Sequence, residues 1–153
     1  MATISESPAY ARQFDDKNIE WRPFGDFEGF VASVLHVDKE KHIAEFIIKF
    51  DPNTKAILHR HLALTYTFVI EGDHVIYETD GSVREVRPVG SFTASGVDGD
   101  IHDEGGGPDG CTLLYSVRGD TPALFEMVDR ELNAVAKLTV GDYKAAWDAQ
   151  RAG

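Results

Sequence analysis

The chain has a single cysteine, Cys111, among its 153 residues. An intrachain disulfide is therefore excluded, and a reducing cytosol fits best. Cys111 stands just before an apolar stretch and reads as a packed thiol. No apolar run approaches the roughly 18 residues that a membrane-spanning helix needs. Met1 to Tyr10 is polar and lacks the apolar core of a secretory signal, so the expectation is a cytoplasmic protein without membrane contact. Basic residues are also scarce. Fifteen Lys and Arg stand against 26 Asp and Glu, a formal net charge of -11. Such a surface repels phosphate backbones, which argues against nucleic acid as a partner. There is no internal repeat and no low-complexity tract.

What is present is a succession of short alternating segments punctuated by turns. The length suits one domain with a core large enough to need no structural metal. Residues 1–18 read as a polar N-terminal arm, with room for one helical turn between Ser5 and Asp16, and residues 19–153 as the domain itself. Trp21, Phe24, Phe27 and Phe30 form an aromatic patch that a lone barrel would leave partly exposed, which predicts a homodimer or higher homo-oligomer.

Glu28 to Val37 and Lys41 to Phe50 read as strands, the second with Ala44, Phe46, Ile48 and Phe50 on one face. Ala56 to Leu62 and Leu64 to Ile70 follow. In the latter, alternation groups Leu64, Tyr66, Phe68 and Ile70, and their apolar character marks that face as interior. Glu71-Gly72-Asp73 and Asp80-Gly81 read as reversals. The glycine-rich run Glu104 to Gly110 reads as loop, and Cys111 to Val117, Ala123 to Val128 and Val135 to Val140 as further strands. Asp142 to Gln150 is a terminal helix capped by Thr139 or Gly141, with Tyr143 and Trp147 on its packing face. Nine or ten short strands with one helix at the end predict an all-β sandwich or barrel.

Six histidines are present. His36 and His42 flank a turn, and His74 begins a strand. All three read as incidental, although His74 could reach a cavity. His59 and His61 differ. Side chains alternate along an extended segment, so the two share a face with Ile57. Burying two imidazoles is costly unless both find partners, and one metal ion supplies a partner to both. His102, delivered by the loop Gly96 to Asp100, completes a set of three imidazoles suited to a divalent first-row metal.

These residues resemble the cupin family. Its first motif places a glycine before a His-x-His pair, then a glutamate and a closing glycine. His59 and His61 match the pair and Gly72 the closing glycine. Its second motif runs from a glycine through Pro-x-Gly to a histidine. Gly90, Gly99 and His102 match, with Gly96 where proline is usual and one extra residue in the loop. The resemblance covers roughly Lys41 to Val128 and implies a cupin-type β-barrel, or jelly roll, with a short C-terminal helix. The glutamate that most metal cupins use as a fourth ligand is absent, and Thr65 or Tyr66 takes its place.

A three-histidine centre with Tyr66 beside it is similar to β-diketone-cleaving and dihydroxyacetophenone dioxygenases. That likeness implies iron(II), with zinc or nickel as alternatives in purified protein, and a small carbonyl compound and O2 as partners. Tyr66 is then the candidate catalytic side chain, and Phe46, Phe50 and Phe68 the candidate substrate pocket. Neutral ligands leave the ion its full charge, which favours an enolate. Arg60 alternates away from the metal. Tyr115 and Arg118 suit a surface or dimer contact as well as a substrate role. A non-catalytic metal- or ligand-binding module, an isomerase and a thiol dioxygenase are the alternative functions.

Overall fold

The computed structural model describes residues 14–153, so most of the expected arm, including nearly all of the helical turn at Ser5 to Asp16, lies outside the described residues. Nine strands and one helix follow in order: β1 (Phe30–Asp38), β2 (Ile43–Phe50), β3 (His59–His61), β4 (Leu64–Tyr77), β5 (Val83–Arg87), β6 (Phe92–Ser95), β7 (Ile101–Arg118), β8 (Ala123–Val128), β9 (Ala134–Thr139) and α1 (Val140–Arg151). All the pairings are antiparallel. They form one curled sheet in the order β1-β2-β7-β3-β8-β9, with β4 pairing β7 and carrying β5 and β6. No described helix is long and apolar enough to cross a membrane.

The sheet curls because its two longest strands bend. Glu71-Gly72-Asp73 does not reverse the chain. β4 runs through it, and the register against β7 shifts between Val69 and Glu71 and again between Gly72 and His74. Bulges of this kind bend a strand and increase its twist, which is how a sheet closes on itself. The first part of β4 pairs β6 and the second part pairs β5, so one strand bridges both ends of the half-barrel. The hairpin turn falls later, at Asp80-Gly81.

The run Glu104 to Gly110 is strand rather than loop, inside the 18-residue β7. Its glycines answer a close approach of backbone. Asn53 N donates to the Gly107 carbonyl and Ala56 N to the Glu104 carbonyl, so residues 53–56 lie directly on β7. A Cβ on Gly105 would stand 1.6 Å from the Thr54 carbonyl oxygen.

The core sits inside the curl. Ala44, Phe46, Ile48 and Phe50 of β2 are buried there, as expected, with Leu113, Tyr115 and Val117 of β7. The aromatic N-terminal residues are part of this packing. Phe30 is buried, Phe24 tilts against Tyr143 with ring centroids 5.0 Å apart, and Phe27 stacks on Phe30. Helix α1 begins at Thr139, whose side chain accepts from Asp142 N while Asp142 reaches back to the Thr139 backbone, a reciprocal capping box. Its Tyr143 is buried and stacks on Phe46 at 4.6 Å.

Cys111 is buried in this core, and burial pushes its thiol up to about 12 from an ordinary 9.0. Thiolate is the reactive form, so at pH 8 the native protein should react with a thiol reagent much more slowly than the unfolded chain. Timed labelling with and without denaturant checks this, and comparable rates would show Cys111 to be accessible.

Candidate metal centre

Strand β3 is three residues long and is held from both sides. His59 pairs His102 of β7 and Met127 of β8, while His61 pairs Phe125. The preceding segment is tied down as well: Ile57 N donates to Asp103 Oδ1 at 2.8 Å and Val128 N to the Leu58 carbonyl. Directly opposed residues on neighbouring strands show their side chains on the same face. His102 therefore joins the face that His59 and His61 share by alternation.

The three rings gather with centroids 5.3, 4.6 and 5.1 Å apart. One ligating atom from each lies within 4.8 Å of the others. The Phe125 ring stands edge-on to both His59 and His61 and closes one side of the cluster.

The donor set fits a divalent metal. His59 Nδ1 donates to the Ile57 carbonyl at 3.0 Å, and His102 Nδ1 donates to Asp100 Oδ2 at 3.1 Å. Each bond fixes a tautomer and leaves Nε2 as a lone-pair donor, the usual outer support of a metal-bound histidine. Asp100 is anchored in turn by Arg84 at 2.6 Å. His61 Nδ1 is buried without a hydrogen-bond partner. Burial, followed by the neighbouring imidazoles, lowers the His61 pKa to about 3; burial also lowers that of His102. In His61 and His102 the neutral ring required for ligation is thus favoured.

Beside the cluster lies a second group, which the sequence reading missed. His74 is 1% exposed, and its Nε2 lies 3.1 Å from Glu104 Oε2. The Tyr115 hydroxyl donates to the other oxygen, Oε1. Burial alone would raise the Glu104 pKa, but the His74 hydrogen bond and the nearby imidazoles of His74, His59 and His102 together outweigh it and hold the carboxyl well below the usual range. For Tyr115, burial and then the Glu104 charge push the phenol well above its ordinary value. Tyr115 is therefore an interior residue rather than a surface or dimer contact. The clue available in the sequence was the two-residue spacing from His102 to Glu104, which becomes informative only once that stretch is known to be strand.

Two cavities meet at the histidines. A narrow apolar one, about 40 Å³, has His59, Phe46, Phe125 and Tyr115 among its lining residues. A wider polar one, about 210 Å³, is reached by His61, His102, Thr67, His74, Arg84 and Arg87. Glu104 and Tyr115 line both.

Several sequence expectations need correction here. Strand β4 turns its other face inward: Thr65, Thr67 and Val69 are buried, while Phe68 is 42% exposed. Tyr66 stacks on Phe92, itself 65% exposed, on the outside of the sheet. Tyr66 and Phe68 therefore do not face the imidazoles. Phe46 lines the apolar cavity. Phe50 is buried one layer away, packed on Phe30 and the His74 ring, and does not line that cavity. Arg60 points away, as expected, and pairs with Glu126 at 3.1 Å.

Neither a scan against protein-family models nor a search of curated proteins found a match. Solved structures do match. An RmlC-like cupin from Ralstonia eutropha JMP134 superposes with a TM-score of 0.72 at 13% identity, covering 91% of this chain and 86% of that one. An acetylacetone dioxygenase from Acinetobacter johnsonii superposes with a TM-score of 0.64 at 18% identity, over 97% and 95% of the two chains. A provisionally assigned acetylacetone dioxygenase from Methylibium petroleiphilum PM1 gives 0.67 at 17% identity, over 96% and 97%. The fold is the cupin fold, a curled β half-barrel with one short C-terminal helix.

Proposed function

We propose that the protein is an iron(II)-dependent dioxygenase that cleaves a C–C bond in a small diketone or hydroxyketone, with O2 as co-substrate. The observation that carries this reading is the cluster His59, His61 and His102, a metal-fitting set with no carboxylate among its members. It lies within a cupin fold that superposes on an acetylacetone dioxygenase along almost its whole length. The inward positions on β4 that follow the histidine pair carry Thr65 and Thr67, neither of which can neutralise an ion. A bound divalent ion would act as a Lewis acid that stabilises an enolate and would offer a place for O2.

The protein's own residues set the stage for that chemistry. His59 and His102 are held in the ligating tautomer by Ile57 and Asp100. Phe125 and Phe46 exclude water from the apolar side. Among the described residues, each carboxylate lining the polar cavity is already engaged, Glu104 by His74 and Tyr115, Asp100 by Arg84 and His102, Glu85 by Arg87 and Asp98 by the Asp100 backbone, which argues against hydrolytic acid–base work.

Apoprotein loaded anaerobically with Fe(II) should give a charge-transfer band on adding acetylacetone or an aromatic hydroxyketone, and then consume O2 in air. A band without O2 uptake would favour a non-catalytic binding module. Neither signal from iron-loaded protein across a panel of such ketones would end the dioxygenase reading.

The reading also keeps a cytoplasmic setting and a homodimer. Among the described residues the N-terminal aromatics Trp21, Phe24 and Phe27 are half-buried, and Phe68 and Phe92 on the outer face are among the exposed large hydrophobics.

A further inference from the structure

We infer that Glu104 is the specificity-determining residue of this site, accepting a hydrogen bond from a hydroxyl group of the bound ligand and so selecting α-hydroxycarbonyl over β-dicarbonyl compounds. The inference rests on the ketone-binding metal site proposed above and narrows its substrate class.

Glu104 follows His102 by two residues on β7, so both side chains emerge on the same face. Its carboxylate lies where the apolar and polar cavities meet. Two donors hold it there. His74 Nε2 binds one oxygen at 3.1 Å, and the Tyr115 hydroxyl binds the other. Both donors are packed in the core: the His74 ring stacks on Phe50, and the Tyr115 ring stacks on Phe46 at 4.8 Å. They hold the carboxylate at the site.

Glu104 is placed as an acceptor by geometry: His74 Nε2 lies 3.1 Å from Oε2, and the Tyr115 hydroxyl donates to Oε1. A carboxylate offers about four acceptor positions, and the two protein donors leave the others free on a side chain that lines both cavities.

A buried acceptor of this kind discriminates between ligand classes. The enolate of a β-diketone carries two oxygens and no O–H, so it would set lone pairs against the Glu104 carboxylate. An α-hydroxycarbonyl compound carries a hydroxyl that donates to Glu104 while its carbonyl oxygen turns to the imidazole cluster. The wider cavity is the polar one and also holds a buried hydroxyl without a partner, Thr67 Oγ1. Thr67 can donate to a carbonyl oxygen of either ligand class, so the discrimination falls to the acceptor-only carboxylate of Glu104.

The test compares Fe(II)-loaded wild type and Glu104→Gln without O2, titrated calorimetrically with hydroxyacetone and with acetylacetone, iron content being measured on each sample. Wild type should bind hydroxyacetone more tightly. In Glu104→Gln the ratio of the two affinities should move toward acetylacetone by about tenfold to a hundredfold, the range for a hydrogen bond to a buried charge. Tyr115→Phe, which keeps the carboxylate and frees one acceptor position, should retain the preference. Should Glu104→Gln fail to fold, Glu104→Asp withdraws the charge by one methylene and should shift the ratio in the same direction.

An unchanged ratio, or equal losses for both ligands, would overturn the inference and leave the dioxygenase reading standing. Loss of the preference in Tyr115→Phe would overturn it too, by assigning the effect to packing. Failure of iron-loaded wild type to bind either ligand would overturn both.

Discussion

Replacing His102 with alanine should lower divalent-metal affinity by more than about a hundredfold, exceeding the 10–100-fold typical of removing an outer-shell partner, and should leave the protein folded. The expectation follows from how the cluster is built. His102 stands opposite His59 in register, and without it only two rings remain to hold the ion. Folding should survive because the core of β2, β7 and α1 lies elsewhere, and because Asp100 keeps its ion pair with Arg84 at 2.6 Å when the imidazole is gone. Asp100→Asn gives an intermediate case. It weakens the support of His102 Nδ1 without removing a ligand, and should cost about 10–100-fold. Metal content after dialysis against a competing chelator, read with the circular dichroism of the same samples, checks both. Full metal content in His102→Ala would remove His102 from the site. A Asp100→Asn loss as large as that of His102→Ala would mean that Asp100 itself touches the ion.

Gly105→Ala should destabilise the protein by about 3 kcal/mol or more, the range for forcing atoms into packed structure. For a chain of this size that corresponds to a fall in Tm of roughly 6–12 °C. The added Cβ would stand 1.6 Å from the Thr54 carbonyl oxygen and 2.6 Å from its carbon. Both are backbone atoms, so no rotamer change relieves the clash. Residues 53–56 must leave β7, breaking the bond from Ala56 N to the Glu104 carbonyl at 2.8 Å. Since that segment runs directly into His59, metal content should fall with stability. Gly96→Ala is the control. Nothing lies within 4 Å of its Cβ position, and the change should stay within about 0.5 kcal/mol. Thermal unfolding of the three proteins decides the matter, and equal midpoints would show that the approach of Thr54 to β7 is not a tight one.

Much of the site was legible in the sequence because it depends on local geometry. His59 and His61 share a face in any extended backbone, and a buried pair of imidazoles calls for a common partner. The apolar alternation of β2 and the helix cap, expected at Thr139 or Gly141, are local as well, and the structure places the cap at Thr139. The faces of β4 were harder. Alternation correctly grouped Leu64, Tyr66, Phe68 and Ile70, but period two says only which residues share a face, not which face is inside. The apolar set took the outer face, with Tyr66 stacked on Phe92, because register against β7 sets Thr65, Thr67 and Val69 opposite the interior Val117, Tyr115 and Leu113.

The same division runs through the glycines and the buried acid. Glycine-rich composition reads as loop when only local freedom is considered. In β7 the glycines are strand residues whose missing side chains let residues 53–56 pack on the backbone, a contact between distant segments that no local pattern encodes. Once that stretch is strand, Glu104 falls on the face of His102, and His74 and Tyr115 arrive from other positions in the sheet to bind it. The sequence by itself determined the histidine pair, the strand-rich class and the helix cap, since each follows from backbone periodicity or a four-residue motif. Only the tertiary structure decided which face of β4 looks inward and which acid stands beside the histidines, because both depend on register between strands far apart in the chain.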